Sequence, residues 1–267
     1  MARPKGFDPW PLPPDMPPGR HRSLERFLTS GFLLTNLVPC PGTRDKGRDI
    51  KMKSQDVGLL LKLVALKSRE REDSQGRLTK AAMSLPGDWC DWQVGKEGAL
   101  VEEEYLLRDS EVCLARYSVR ALAEETGISK TQVSLALNRC LEVGLARQDR
   151  KTGVPRANTK ALFDFIVHGL RYVFPVRPGE ITRGIATSFA APVLEGRLFS
   201  SGELAMVWPD AKGNTKGQAV EPLFKSAPYA VRRDREMYAM LALADAIRLG
   251  KPRESKLATN LLAEYLG

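Results

Sequence analysis

The chain predicts a mainly α-helical protein that carries one small β-hairpin and ends in a helical region. Three observations carry that expectation. A leucine-rich stretch from Ser54 to Leu66 has helical spacing, two short helical segments meet at Gly127 and lead into a strand, turn and returning strand, and the C-terminal stretch shows the helical period twice.

Size and charge bound the answer before any element is placed. The 267 residues are 43% hydrophobic, ordinary for a chain that buries a core, and the formal charge of +9 favours a polyanionic partner: nucleic acid, an anionic membrane surface or an acidic protein. Cys40, Cys90, Cys113 and Cys140 stand far apart with no C-x-x-C pair, so neither a zinc site nor a redox motif is legible and they read as reduced thiols. The two histidines, His21 and His168, give little material for a His-based triad or a metal centre. The expectation is therefore a non-enzyme, with no catalytic residues, no cofactor and no metal.

The segment Arg26 to Gly42 superficially resembles a secretory signal, with basic residues before an apolar run and a cysteine after it. Gly31, Thr35 and Asn36 interrupt that run, and Pro39 stands where cleavage requires a small residue. No apolar run approaches the roughly 20 residues of a membrane span. The sequence thus points to a cytoplasmic protein with no membrane partner.

Residues 1–51 are proline-rich and charged and read as an extended or disordered arm, with a short helix near Leu24 to Leu34. Met52 offers an alternative translation start, which a ribosome-binding site upstream of its codon would reveal. Ser54 has the chemistry of an N-cap, and Val57, Leu60, Leu61 and Val64 follow at helical spacing, with Leu59, Leu63 and Leu66 widening the stripe almost around the helix. Such a helix must be covered on nearly all sides, by its own chain or also by a second subunit. Residues 67–116 lack a sustained period and read as a charged insertion, in which Trp89 and Trp92 pack it onto the body or else anchor a partner.

The densest agreement of local signals lies between Tyr117 and Lys160. Ser118 is placed to cap a short helix bearing Val119, Leu122 and Ala123, and Gly127 ends it. Ser129 and Gln132 then form an S-x-x-Q capping box, with Ile128 and Val133 as its hydrophobic staple. The second helix buries Val133, Ala136, Leu137, Cys140 and Leu141, which leaves Lys130, Thr131, Ser134, Leu135, Asn138 and Arg139 outside; with Ser129 and Gln132 these are the candidate DNA-binding residues of the helix. Two helices joined by so short a turn form a helix-turn-helix, whose second member can enter the DNA major groove. The following "LARQDRKTGVPRANT" reads as a basic hairpin with Arg147, Arg150, Lys151 and Arg156, able to reach phosphates or the adjacent minor groove.

At these residues, centred on "ALAEETGISKTQVSLALNRCLEVGLARQD", the chain resembles winged helix-turn-helix transcriptional regulators, broadly the MarR-like group. The resemblance covers Tyr117 to Asn158 and extends weakly to Ser54 to Leu66. It implies that Lys130, Thr131, Gln132, Ser134 and Asn138 face DNA. Leu135 departs from the pattern, in which that position is often basic, and is available for a thymine methyl.

After the hairpin, "KALFDFIVHGLRYVFPV" predicts a helix with Leu162, Phe163, Phe165, Ile166, Leu170 and Val173 buried and His168 at its core or boundary. Residues 176–230 read as a wrapping segment with few regular elements, although so long a loop warns of strands not recognised. Two closing helices follow, with Gly250 stopping one and Pro252 starting the next, and Arg248, Lys251 and Arg253 cluster at their junction as solvated charge or an anion site. The domain organisation expected is an arm at 1–51, a winged helix-turn-helix domain at 52–175 with an insertion at about 67–116, and a C-terminal wrapping segment and helical pair at 176–267 that dimerises. Surplus apolar surface on these helices predicts a symmetric homodimer that binds double-stranded DNA at a near-palindromic operator, with any small-molecule effector unspecified. The other readings are a non-enzymatic protein-docking adaptor or antitoxin-like partner, and a replication initiator that binds origin repeats.

Overall fold

A computed structural model describes residues 51–75, 90–93, 114–194 and 204–267, all of them within the unit Asp49–Gly267. The expected arm, the Leu24 to Leu34 helix, Trp89 and most of the insertion lie outside the described residues. Mainly helical, with small sheets, the described chain runs α1 (Ser54–Gln75), α2 (Val119–Thr126), α3 (Lys130–Glu142), β1 (Ala146–Gln148), β2 (Pro155–Ala157), α4 (Thr159–Asp164), a π-helical turn (Phe165–Gly169) and α5 (Leu170–Val173). It continues through β3 (Ile181–Thr187), two 3₁₀ turns (Ser188–Ala190 and Pro192–Leu194), β4 (Met206–Pro209), β5 (Thr215–Ala219), α6 (Ala227–Val231), α7 (Arg235–Leu249) and α8 (Pro252–Leu266).

The leucine-rich helix starts where expected but is capped differently. Asp56, not Ser54, closes its first turn: the Asp56 carboxylate accepts from the Lys53 backbone N–H at 2.9 Å, while Asp56 N–H donates to the Lys53 carbonyl. Its apolar circumference, Val57 through Leu66, is buried within the chain against α2, α3, α7 and the hairpin, and Gly58 lies so close to Phe224 that a Cβ there would stand 2.4 Å from its ring. No second subunit is needed to cover it. The helix also runs on to Gln75, past the expected end at Leu66, because its charged turns find partners: Arg69 pairs with Asp234 at 2.9 Å, Glu70 with Arg156 at 2.7 Å, and Ser68 donates to Glu236.

Set among those leucines, Lys62 is almost wholly buried. Its ammonium pairs with Asp234 at 2.6 Å and with Glu125, so α1, α2 and the start of α7 are joined by one buried charge cluster. Asp234 also caps α7 by accepting from Met237 N–H at 3.1 Å. Burial alone would lift its carboxyl pKa, but the fields of Arg69 and Lys62 prevail and hold it well below the ordinary carboxylate range. Breaking a cluster of this kind from one side strands a buried charge.

Helix α7 is the centre of the C-terminal half, with every residue from Glu236 to Arg248 buried, where the sequence shows only a stripe. It packs against α1 and α8, so residues 52–175 and 176–267 share one core. The segment read as irregular contains a small closed sheet: β3 pairs antiparallel with both β4 and β5, and β4 pairs with β5 in parallel. Its strands are short and glycine-bearing, which hid the alternation. Gly184 and Gly217 allow the close approach, since a Cβ at either would lie about 2 Å from a carbonyl oxygen across the sheet. Asp91 straps the sheet by accepting from Ala186 N–H at 2.6 Å and the Thr215 hydroxyl at 2.8 Å, and Trp92 packs edge-on against Tyr238 of α7, as expected for a tryptophan that anchors the insertion.

Between the hairpin and α5, the π turn changes which residues face inward. Leu162, Ile166 and Leu170 are buried, whereas Val173, expected in the core, is exposed, and so is His168, expected at a core or boundary position. At the other junction, Lys251 and Arg253 are exposed as solvated charge, but Arg248 is not, and neither is it left for an anion. Glu254 reaches back to Lys251 N–H at 2.8 Å, so the start of α8 is capped by its own carboxylate, and Arg248 is buried on Asp245 at 2.6 Å and the Phe174 carbonyl at 3.1 Å.

Candidate nucleic-acid interface

The short-range chemistry around Gly127 builds the candidate site. Ser118 caps α2 by accepting from Ala121 N–H at 3.2 Å, and Gly127 ends it in the left-handed conformation, φ 69°, with its N–H donating to Ala123. A side chain at Gly127 would be strained and would meet Ser226 and Tyr229 at 2.9 Å. Buried Ile128 then turns the chain into α3, where the Ser129 hydroxyl accepts from Gln132 N–H at 3.4 Å. The Ser226 hydroxyl donates to the Thr126 carbonyl and Tyr229 to the Glu124 carbonyl, which fixes the turn against α6.

Helix α3 divides as its period requires. Val133, Ala136, Leu137 and Cys140 are buried, while Ser129, Lys130, Thr131, Ser134, Leu135 and Asn138 are exposed. Leu135 keeps 45% of its surface in solvent, in the middle of that outward face. Burial, reinforced by the Asp56 charge and opposed by Arg139, pushes the Cys140 thiol up to about 12, so it is packing and not a reactive group.

Two residues grouped with this face have other occupations. Gln132 is half-buried, and its side-chain oxygen accepts from Gln55 Nε2 at 3.1 Å and Lys53 Nζ at 3.5 Å; the reciprocal half of the capping box, Gln132 to the Ser129 N–H, is replaced by this link to α1. Arg139 is gripped by Asp56 through Nε at 2.9 Å and Nη2 at 2.6 Å, and that hydrogen-bonded pair raises the arginine's pKa further. Its guanidinium therefore anchors α3 to the first turn of α1 and is not available to a ligand.

The expected hairpin forms with Ala146 opposite Ala157, Arg147 opposite Arg156 and Gln148 opposite Pro155. Gly153, φ 70°, closes the turn, and the Asp149 carboxylate accepts from Lys151 N–H at 2.8 Å and Thr152 N–H at 3.3 Å, which lowers its pKa. Arg147, Arg150 and Lys151 are exposed. Arg156 is not: it is half-buried, paired with Glu70 at 2.7 Å, bonded to the Tyr117 hydroxyl and stacked 4.6 Å from the Tyr117 ring centroid. Burial works against its charge, but Glu70, Tyr117 and Asp149 outweigh that and raise its pKa. It ties the hairpin to α1.

The structure thus brings Lys130, Thr131, Ser134, Leu135 and Asn138 together on one solvent-facing helix side, packed beside a hairpin that exposes Arg147, Arg150 and Lys151. It assigns Gln132, Arg139 and Arg156 to holding these elements in place. Sequence reasoning missed Lys67 and Arg71, which line the groove between α1 and the hairpin. Their four-residue spacing was a usable signal, lost because the helix was ended at Leu66. Among the described residues no group of His, Cys, Asp and Glu could hold a metal ion, and no helix is long and apolar enough to cross a membrane. Set against known proteins, the chain matches no family, no curated protein and no solved structure.

Proposed function

We propose that the protein binds double-stranded DNA sequence-specifically and regulates transcription, with α3 in the major groove and the basic hairpin on the flanking backbone. The observation that carries this reading is the outward face of α3, where Lys130, Thr131, Ser134, Leu135 and Asn138 are exposed next to three exposed hairpin cations. Asn138 reads a base edge, Lys130 and Thr131 meet the groove or its phosphates, and Leu135 contacts a thymine methyl. Arg150 and Lys151 supply sequence-independent phosphate contacts. Gln132 and Arg139 act indirectly, by fixing the pitch of α3 against α1. Two copies bound to half-sites about one DNA turn apart complete the proposal; this rests on half-site logic and not on the apolar faces of α1 and α7, which the chain buries within itself.

Exposed Leu135 also favours a second reading, protein docking through the same face, because a leucine amid polar residues is an anchor for an apolar partner. The two part on salt dependence. With a duplex selected from a random library, Asn138→Ala loses about 1–3 kcal/mol of discrimination over random DNA, whereas Arg150→Ala weakens both duplexes alike and reduces the slope of log K against log salt by about 0.9. Equal losses on both duplexes for both variants, with unchanged slopes, refute the reading.

A further inference from the structure

The Lys67–Arg71 stretch of α1 and the hairpin wall a cleft of about 760 Å³ lined by Lys67, Arg71, Arg147, Arg150, Lys151 and Arg156, with Glu70 and Asp149 as its carboxylates. Both carboxylates face Arg156, Glu70 at 2.7 Å and Asp149 at 3.8 Å, and Asp149 is further occupied by the backbone N–H groups of the hairpin turn. Arg71 donates to the Gly267 carbonyl oxygen at 3.1 Å. Among the described residues, Lys67, Arg147, Arg150 and Lys151 form no ion pair with any carboxylate. The strand register sets Arg147 directly opposite Arg156, so the two side chains leave the hairpin on one face. Lys67 is half-buried in this wall, and its pKa is lowered by burial first and then by the fields of Arg71, Arg156 and Arg147, against the opposing pull of Glu70. Like charges held together in a concavity repel until an anion enters.

We propose that this cleft binds a free small molecule carrying two or more phosphate groups. Its volume is that of a small-ligand pocket. One phosphate engages two or three donors, so the four cations that have no carboxylate partner among the described residues, with Arg71 beside them, match at least two. A hollow between a helix and a hairpin receives a compact anion, whereas duplex backbone docks on protruding surface such as the hairpin tip. Arg150 and Lys151 border this cleft and also serve the proposed duplex contact, so the two anions compete at the hairpin turn, whereas Lys67 and Arg147 belong to the cleft alone.

The test is calorimetric titration of the full chain with inorganic tripolyphosphate, and separately orthophosphate, at about 150 mM salt, where unspecific surface attraction is screened. The expected result is saturable one-site binding of tripolyphosphate, at least about tenfold tighter than orthophosphate, weakened about tenfold by Lys67→Gln and by Arg147→Gln and unchanged by Lys130→Gln on α3. Arg147→Gln, exposed on β1, serves where Lys67→Gln fails to fold. No saturable binding, or equal weakening by Lys130→Gln, overturns the proposal. So does displacement of tripolyphosphate by random duplex together with equal loss of duplex affinity in Lys67→Gln, which assigns the cleft to DNA backbone. Tripolyphosphate binding that persists in a protein with no duplex affinity leaves the proposal standing and removes the DNA reading alone.

Discussion

Replacing Asp56 with alanine tests how α3 is held. Asp56 is fully buried and accepts three hydrogen bonds, one from Lys53 N–H at 2.9 Å and two from Arg139 at 2.9 and 2.6 Å. Removing one partner of a buried pair costs about 3–5 kcal/mol, because the other charge is stranded. The Arg139 side chain keeps 16% of its surface in solvent and recovers some hydration, which sets the expected loss at the lower end, about 3 kcal/mol. With a urea dependence of about 2 kcal/mol per molar, the unfolding midpoint falls by about 1.5 M at unchanged slope. Asp56→Ala/Arg139→Met removes both charges and recovers all but about 1 kcal/mol, the residue being the lost helix cap. Circular dichroism across a urea series measures both. A single variant within about 1 kcal/mol of the parent, or a double variant no more stable than the single, refutes the anchoring role of Asp56.

Other consequences are independent of that pair. Gly127→Ala forces a left-handed alanine against Ser226 and Tyr229 and costs about 2–3 kcal/mol; a thermal midpoint equal to the parent contradicts the close approach. Asp234, whose pKa is held below the ordinary carboxylate range, stabilises the fold fully above about pH 4 and loses that contribution as pH falls below it. Asp234→Asn is therefore less stable at neutral pH but shows a shallower decline between about pH 4 and pH 2, read from urea midpoints at each pH; parallel declines would show that the charge cluster does not set the acid limb. Cys140, buried and with its thiol pushed up to about 12, resists iodoacetamide at pH 8 in the native protein and reacts only after unfolding, as peptide mapping would record.

The elements with dense local chemistry were legible from residues alone. Ser118, Gly127, Ser129 and Gly153 each satisfy a backbone requirement within a few residues, so α2, α3 and the hairpin follow from short-range rules. What stayed hidden depends on partners distant in the chain. The charged turns of α1 continue as helix because Asp234 and Arg156 await them, and Lys62 sits among leucines because Glu125 and Asp234 meet it there. The β3–β4–β5 sheet escaped notice because its glycines serve close backbone approach and break the alternation that marks a strand. The face of α3 was readable as a face, but helical period cannot separate an accessible polar residue from one engaged by a neighbouring helix. Gln132 and Arg139 were grouped with Asn138 for that reason.

Base reading by α3 is tested most directly by in vitro selection from a random duplex library with the parent protein and with Asn138→Ala. The parent is expected to enrich a short motif, repeated as two inverted half-sites about 10 base pairs apart, and Asn138→Ala to lose preference at one position of each half-site. Sequences from the parent selection indistinguishable from the starting library would contradict base reading by α3.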